Sequence, residues 1–254
     1  MTEPTTRGLD PDWVADQIGA QRATFEGFIG TGQIGRNARF AVDGLDVTSV
    51  VVKVPADDAG VRQIGFAQGL YPKECLFYRE LVDLVDVVTP RPLAVDIDPE
   101  ALDFALVLED MADAEAGDQF TEATDAELEL AVTQAAALHG PLWGAGHPSL
   151  ATLRSDGEGR AALAGLLGVF LPMCVDRLGS RLADETLPVL ERFVELGEAW
   201  LNRPIRAESL VHADFRPDNF LFGRTDAAPA LAVVDWQTLT IGSSVSDVAY
   251  LLGA

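Results

Sequence analysis

Polar side chains near the carboxyl-terminal end of the chain have the types and spacing needed for phosphoryl transfer. His212, Asp214 and Asn219 form an H-x-D-x-x-x-x-N pattern in a polar stretch, and Asp235 follows a short apolar run that predicts a strand. In such a pattern one carboxylate accepts the proton of a hydroxyl group, while an amide oxygen and a second carboxylate hold Mg²⁺ against nucleotide phosphates. We therefore expect Asp214, Asn219 and Asp235 to be catalytic, with Asn219 and Asp235 as the metal ligands.

The same residue types could instead serve only a structural role in this stretch. Histidine, aspartate and asparagine in a loop often only form turns and helix caps, because their side chains bond neighbouring backbone groups. The strand before Asp235 and a lysine upstream favour the catalytic interpretation. We expect His212 to support the loop rather than to transfer protons. Arg216 could pair with Asp218 or contact a phosphate, and the sequence leaves both alternatives open.

Residues 212–219 and 234–237 resemble the motifs of the aminoglycoside phosphotransferase and choline kinase-like superfamily, particularly its ecdysteroid kinase-like branch. Protein kinases have Asp-Phe-Gly where this chain has Asp235-Trp-Gln, and they carry Arg where it has Ala213. Both departures favour a small-molecule kinase. The resemblance implies a two-lobed, protein kinase-like α+β fold, with an antiparallel β N-lobe containing one helix and a mainly helical C-lobe.

A glycine-rich stretch and a strand lysine are the expected nucleotide-binding residues of the first lobe. Gly30, Gly32 and Gly35 form G-x-G-x-x-G. This stretch joins two predicted strands, whereas a dinucleotide fingerprint must open a helix. Lys53 is a lone cation in an apolar strand, where it is costly unless it reaches water or an anion. In kinases a strand lysine of this kind holds the α- and β-phosphates of ATP.

A predicted helix over residues 72–84 supplies a partner for Lys53. At about 100° per residue, Glu74 falls within the angular span of the apolar stripe of this helix, while Glu80 lies well to one side. An inward-facing carboxylate needs a positive partner, and we therefore predict a Lys53–Glu74 ion pair. The alternative is that Glu74 is a solvated surface carboxylate.

The composition changes from β-rich to helical near residue 108. We expect residues 1–108 to form the nucleotide-binding lobe, and residues 109–254 to form the hinge and the helical catalytic lobe. The resemblance implies that backbone groups near Glu109 and Met111 meet the adenine ring. Family members continue with further helices, so the resemblance also implies a second lobe that is incomplete, as a truncated or short variant. The tripeptide Gly117-Asp-Gln119 is typical of bacterial relatives and has no assigned role.

Charge and composition restrict the partners and the location. Forty acidic and eighteen basic side chains give a formal charge of −22, which repels nucleic acid and anionic membranes. Cys75 and Cys174 are far apart and have no metal-ligand spacing, so neither a disulfide framework nor a zinc site is expected. The most apolar run, residues 161–175, is interrupted by two glycines and a proline, and we expect it to be too short to span a bilayer. We expect a cytoplasmic protein.

We therefore expect an ATP- and Mg²⁺-dependent phosphotransferase that acts on an alcohol group of an unidentified metabolite or antibiotic. The alternative is a nucleotide-binding pseudokinase or regulatory module without turnover. His139 is interpreted as stabilising the carboxyl-terminal dipole of a helix that begins with a capping box at residues 124–127. The acceptor, the preference for ATP or GTP, the oligomeric state and the role of His147 are left open by the sequence.

Overall fold

A computed structural model of the protein describes residues 6–30, 32, 34–144, 147–154, 157–205, 208–225 and 228–253. Its first lobe is built on one antiparallel sheet, and its second lobe combines helices with two small antiparallel sheets. The two-lobed α+β fold expected from the sequence is confirmed. Lys53, Glu74 and Asp235, singled out from the sequence, meet at the junction of the lobes.

Five strands form the sheet of the first lobe in the order β1-β2-β3-β5-β4. They are β1 (Arg22–Ile29), β2 (Gly35–Asp43), β3 (Ser49–Pro55), β4 (Pro92–Asp98) and β5 (Asp103–Glu109). In β2 the alternation of the sequence is kept, because Ala38, Phe40 and Val42 are buried on one face. The glycine-rich stretch connects β1 to β2, as predicted. Strand β3, which carries Lys53, is covered on both sides by neighbouring strands.

The first lobe contains more helix than the single long helix that was expected. Helix α1 (Pro11–Ile18) begins at Asp10, whose side chain accepts a hydrogen bond from the N–H of Asp12. Helices α2 (Ala59–Ala67) and α3 (Leu70–Leu76) follow β3. The predicted helix over residues 72–84 is present, but its winding changes after α3 to a π-helical turn at Phe77–Leu81 and a 3₁₀ turn at Val82–Leu84.

The second lobe contains the remaining elements. Its helices are α4 (Asp125–His139), α5 (Gly157–Leu178), α6 (Thr186–Leu201) and α7 (Val245–Gly253), and its strands are β6 (Ala114–Ala116), β7 (Glu208–Val211), β8 (Phe220–Gly223), β9 (Leu231–Val233) and β10 (Thr240–Ser243). The capping box at Thr124 and Glu127 is present at the start of α4, as predicted. Along α4, Ala131, Ala135 and Leu138 are buried, whereas Val132 is half exposed.

Helices α5 and α6 pack against each other and leave many apolar side chains exposed. A Cβ at Gly197 would lie only 3.0 Å from Leu167 Cδ1, so the two helices approach closely there. The exposed apolar side chains of this pair include Leu163, Val169, Phe170, Met173, Val189, Phe193 and Trp200.

Among the described residues, one helical segment is long and apolar enough to cross a membrane by length and composition alone. Within Pro148–Arg181, a stretch of 18 residues has a mean hydropathy of 1.6, and none of that stretch is buried. The expectation that this run is too short was wrong, because α5 continues through Gly165, Gly168 and Pro172. Core helices of soluble proteins pass the same test, so a single such segment is weak evidence for a membrane span.

One apolar core is shared by both lobes. It contains aromatic and leucine side chains from α3, the π-helical turn, β5, α4, β8 and the segment after β9, namely Tyr71, Phe77, Leu106, Leu138, Phe220 and Trp236. The rings of Phe77 and Trp236 stack with their centroids 3.8 Å apart. Because buried aromatic side chains dominate packing energies, this contact fixes Asp235, next to Trp236, against the first lobe. The domain boundary at residue 108 stays a prediction.

Candidate active site

Lys53, Glu74 and Asp235 meet where the two lobes join. The Nζ atom of Lys53 lies 2.7 Å from Oε2 of Glu74 and 2.8 Å from Oδ1 of Asp235. The predicted Lys53–Glu74 ion pair is thus present, and Glu74 faces inward with 1% of its surface exposed. The contact between Lys53 and Asp235 was not expected, because the sequence assigned Lys53 to the nucleotide phosphates and Asp235 to Mg²⁺.

Burial and charge act against each other in this cluster. Burial alone would lower the pKa of Lys53, but the carboxylates of Asp235 and Glu74 outweigh it and raise the pKa. Burial raises the pKa of Glu74, with Lys53 opposing this change. Burial would also raise the pKa of Asp235, but the charge of Lys53 dominates and lowers it. Lys53 is therefore firmly cationic, and Asp235 is firmly anionic.

Side chains are disfavoured at all three glycines of the β1–β2 connection, and one of these glycines, Gly35, lies next to Lys53. A Cβ at Gly35 would lie 3.1 Å from the carbonyl oxygen of Val54 and 3.4 Å from Cε of Lys53. A Cβ at Gly32 would clash with the carbonyl oxygen of Gly35, and Gly30 has a φ of 70°. Thus all three positions are occupied by the one residue that fits without strain. Thr31 and Gln33 lie outside the described residues.

Residues 212–219, called the Asp214 loop below, follow β7. The side-chain nitrogen of Asn219 donates to the backbone oxygen of Asp214 at 2.8 Å and to its Oδ2 at 2.9 Å. With the nitrogen used in this way, the side-chain oxygen of Asn219 is the atom left to bind a cation. Ala213 and Asp235 have φ values of 66° and 68°. Such left-handed conformations are strained for residues with a Cβ, and they concentrate at functional sites.

The buried side chain of His212 supports this loop. Its Nδ1 accepts a hydrogen bond from the N–H of Asp214 at 3.3 Å, and its Nε2 lies 3.0 Å from the carbonyl oxygen of Val234. One ring nitrogen accepts and the other donates, which is the pattern of a neutral imidazole. Burial lowers the pKa of His212, which keeps the ring neutral. The predicted supporting role agrees with these contacts.

Asp247 in α7 ties the Asp214 loop to α4. Its carboxylate accepts hydrogen bonds from the backbone N–H groups of His212 at 2.8 Å and Ala213 at 2.9 Å. Its Oδ2 also lies 2.9 Å from Nε2 of His139. The interpretation of His139 as a structural residue agrees with this contact, but its partner is Asp247 rather than the helix dipole alone. Sequence reasoning missed this pair because the two residues lie 108 positions apart.

The proposed hinge residues lie at the end of β5. The backbone N–H of Glu109 donates to the carbonyl oxygen of Arg91, and the carbonyl oxygen of Met111 accepts from the N–H of Ala114, both at 2.9 Å. These two groups are used within the protein, so adenine contacts would come from the remaining backbone groups of Glu109 and Met111. Sequence reasoning missed Asp110 between them.

The carboxylate of Asp110 fastens the hinge to the sheet. It lies 2.8 Å from Nε of Arg39 in β2 and accepts from the hydroxyl group of Ser49 in β3 at 2.7 Å. Its side chain is only 3% exposed. The sequence carried no signal for this role, because Arg39 continues the polar and apolar alternation of β2 at a position directed away from the core face.

Asn219 and Asp235 are suited to hold Mg²⁺ together with nucleotide phosphates. Among the described residues, no group of three or more His, Cys, Asp or Glu side chains could hold a metal ion by itself. Mg²⁺ commonly takes only one or two protein carboxylates, with phosphates and water completing its octahedron. Gln237 donates to Oδ2 of Asp235 at 3.2 Å, and its own side-chain oxygen is buried without a hydrogen-bond partner in the described part of the chain. The donor set fits a cation shared with a ligand.

Comparisons with known proteins agree with this geometry. A family model described as "Phosphotransferase enzyme family" matches residues 32–254. A segment of 65 residues is 42% identical to mouse (Mus musculus) acyl-CoA dehydrogenase family member 10, covering 26% of this chain and only 6% of the mouse protein. A segment of 72 residues is 33% identical to human (Homo sapiens) acyl-CoA dehydrogenase family member 11, covering 27% of this chain and 9% of that protein.

Solved structures share the fold. A putative fructosamine-3-kinase from Thermobifida fusca matches with a TM-score of 0.55 and 21% identity, over 96% of this chain and 78% of that chain. The GDP and kanamycin complex of APH(2")-IIia matches with a TM-score of 0.52 and 18% identity, over 94% and 76% of the two chains. At these identities the likeness shows the fold, and the chemistry has to be argued from the residues.

Proposed function

Since the chain belongs to the phosphotransferase enzyme family, we propose that it transfers the γ-phosphoryl group of ATP to a hydroxyl group of a small molecule. The observation that carries this proposal is the meeting of Lys53 with Glu74 and Asp235 within 2.8 Å, across 21 and 182 positions of sequence. A buried cation and an acidic side chain, joined in this way beside a loop that holds Asp214, are the parts that phosphoryl transfer requires.

The first lobe supplies the groups for nucleotide binding. Lys53 would contact the α- and β-phosphates, and Glu74 would keep the lysine head from turning away. Gly30, Gly32 and Gly35 would let backbone amides approach the phosphates closely, because there are no side chains in the way. The adenine ring would lie against backbone groups at the end of β5, near Glu109 and Met111.

The second lobe supplies the groups for the metal ion and for chemistry. Mg²⁺, when bound, would offset the negative charge of the phosphates and hold them in one orientation. Asp235 and the side-chain oxygen of Asn219 would be its protein ligands. Asp214 would accept the proton of the acceptor hydroxyl group, while Asn219, which bonds its carboxylate, keeps it in one orientation.

Transfer of the γ-phosphoryl group forms one bond to phosphorus and breaks another. The acceptor oxygen forms a bond to the γ-phosphorus, and the hydroxyl proton passes to the carboxylate of Asp214. The bond from the γ-phosphorus to the bridging oxygen breaks, and its electron pair leaves with ADP. No oxidant or further reactant is needed.

The solved structures with the same fold guide the choice of acceptors and nucleotides to test. The solved structure with the same fold that is described as a GDP and kanamycin complex makes guanine nucleotides a reasonable second donor to test. The fructosamine-3-kinase name of another suggests amino sugars among the acceptors. A library of hydroxyl compounds that includes amino sugars and amino alcohols therefore forms the acceptor screen, with ATP and GTP as donors.

The test combines binding with turnover. A nucleotide with Mg²⁺ at 100 times its Kd should stabilise the protein by about 2.7 kcal/mol in a thermal unfolding assay. Asp214→Asn should keep this stabilisation and lower phosphoryl transfer by about 10²- to 10⁴-fold. Asp46→Asn, at an exposed position between β2 and β3, is the matched control. Failure of both nucleotides to stabilise the protein would refute the proposal, and binding without transfer to any acceptor would favour a nucleotide-binding module.

A further inference from the structure

The tripeptide Gly117-Asp-Gln119, for which the sequence offered no role, packs against the Asp214 loop. A Cβ at Gly117 would lie 2.5 Å from the carbonyl oxygen of Pro217, so only glycine permits this approach. The backbone N–H of Gln119 donates to Oδ1 of Asp218 at 3.1 Å. Both contacts fix residues 117–119 to the segment of the loop that follows Asp214.

Arg216 is stretched between this tripeptide and the Asp214 carboxylate. Its Nη1 donates to the side-chain oxygen of Gln119 at 3.1 Å and lies 3.5 Å from Oδ2 of Asp218. Its Nε lies 3.2 Å from Oδ1 of Asp214. In the described ranges, the buried Nε has no hydrogen-bond partner, and 30% of the side chain is exposed. Arg216 therefore keeps donor capacity beside Asp214.

We infer that Arg216 binds the phosphoryl group while it is being transferred, an assignment that rests on the proposed function. In the balanced step described above, the acceptor oxygen lies at Asp214 and the γ-phosphorus lies next to that oxygen. The charge is then spread over three equatorial phosphoryl oxygens. A guanidinium group 3.2 Å from Asp214 is within reach of those oxygens. Its planar fork of donors fits phosphate, and it stays charged throughout.

Gln119 is a positioning residue in this arrangement. Its neutral side-chain oxygen holds Nη1 of Arg216 without cancelling the positive charge, which already faces the carboxylates of Asp214 and Asp218. A carboxylate at position 119 would hold the arginine more firmly but would add a third negative charge. Gln119→Glu therefore separates the two possible roles of Arg216, since it favours a purely structural role and weakens phosphoryl binding.

The experiment measures how the full chain binds a mimic of the phosphoryl group in transit. ADP with Mg²⁺ is titrated calorimetrically with and without aluminium fluoride, which forms a planar anion next to the β-phosphate. Arg216→Ala should weaken binding in the presence of aluminium fluoride by about 10²-fold, the loss typical of one removed donor, and change binding of ADP alone by less than about 3-fold. Arg216→Lys should fall between these values, because it keeps the charge and loses the fork.

Gln119→Glu and a control arginine complete the set. Gln119→Glu should weaken binding of the aluminium fluoride complex by about 10-fold, which corresponds to a loss of about 1.4 kcal/mol of binding free energy. Its unfolding temperature should be equal to or above that of the parent protein. Arg224→Ala removes an exposed arginine that pairs with Glu115 at 2.6 Å, and it should change neither affinity.

The outcomes separate this inference from the proposed function. If the parent protein gains affinity with aluminium fluoride and Arg216→Ala and Gln119→Glu keep that gain, Arg216 is only structural and the inference is overturned, while the proposed function stands. If Arg216→Ala weakens binding of ADP equally with and without aluminium fluoride, the inference is also overturned and the proposed function stands. If the parent protein shows no gain with aluminium fluoride at all, the proposed function fails and this inference falls with it.

Discussion

Replacing Lys53 with methionine tests whether the charge cluster stabilises the junction of the lobes. Methionine keeps an apolar stem of similar length and removes the charge that lies 2.7 Å from Glu74 and 2.8 Å from Asp235. Glu74 is 1% exposed, so it would be left as a buried carboxylate without a cation. Breaking a buried pair in this way costs about 3–5 kcal/mol. The side chain of Asp235 is 30% exposed and would add less, because water can solvate it.

The companion variant Glu74→Gln has a different expected cost. Lys53 keeps Asp235 as a partner at 2.8 Å, and the burial penalty of the Glu74 carboxylate disappears. We therefore expect Glu74→Gln to cost no more than about 2 kcal/mol, less than the usual loss for a buried ion pair. The double variant should be more stable than Lys53→Met alone, since the unpaired carboxylate is gone. The double-mutant cycle should thus give a coupling energy of about 2 kcal/mol.

Urea unfolding followed by tryptophan fluorescence measures these differences. Trp236 is fully buried and stacks on Phe77 beside the cluster, so its emission reports on this junction. Far-ultraviolet circular dichroism must give a coincident transition for the free energies to be comparable. For a chain of this size, Lys53→Met should lower Tm by about 6–20 °C. A loss below about 1 kcal/mol, or a double variant as unstable as the sum of the single ones, would refute the reasoning.

The pH dependence of Lys53→Met has a definite sign. Burial already raises the pKa of Glu74 above its ordinary value of 4.5, with Lys53 opposing this change, so removal of Lys53 raises it further. A group with a raised folded-state pKa contributes stability below its unfolded pKa and loses that contribution as the pH rises through the folded-state pKa. Lys53→Met should therefore be less destabilising at pH 5 than at pH 8. An equal or larger loss at pH 5 would contradict the assignment.

Three further predictions concern the supporting residues. Asp235→Asn should abolish the Mg²⁺-dependent part of nucleotide stabilisation in thermal unfolding, and a variant with undiminished Mg²⁺ dependence would exclude it as a ligand. Burial lowers the pKa of His212 below its ordinary value of 6.5, so the unfolded state binds this proton first and stability falls as the pH drops below about 6.5. His212→Gln should flatten this slope by up to about 1.4 kcal/mol per pH unit in urea titrations, and an unchanged slope would contradict the assignment. Gly117→Ala places a Cβ 2.5 Å from the carbonyl oxygen of Pro217 and should lower the free energy of unfolding by about 1–3 kcal/mol. Gly165→Ala is the control, because its Cβ would meet no atom within 4 Å. Equal losses for the two variants would count against the close contact between Gly117 and Pro217.

Those parts of the site that depend on local geometry were predictable from the sequence. The inward direction of Glu74 follows from about 100° of rotation per residue, and the helix keeps that direction because its winding changes only after Leu76. The alternation in β2 placed Phe40 in the core. The fixed spacing from Asp214 to Asn219 brought the two side chains within 2.9 Å inside one loop. Each case needs only the backbone geometry of one element.

The contacts that were missed join distant parts of the chain. Asp247 reaches His139 across 108 positions, and Asp110 reaches Arg39 across 71. Such pairs depend on how whole elements pack, and a single sequence shows only that both members are present. The change to a π-helical turn at Phe77–Leu81 has the same origin, since it buries Phe77 against Trp236, more than 150 positions away. Local propensity carries no record of that neighbour.

The charges of Lys53 and Asp235 compensate each other directly, at 2.8 Å. Nucleotide binding would exchange Asp235 for phosphate as a partner of Lys53, and Mg²⁺ would take the place of Lys53 at Asp235. Displacement by phosphate alone leaves the carboxylate of Asp235, which is 30% exposed, without its cation, and displacement by Mg²⁺ alone leaves Lys53 with Glu74 as its remaining carboxylate partner. Both exchanges together leave every charge compensated, and for this reason the geometry favours binding of the nucleotide and the metal ion as a unit.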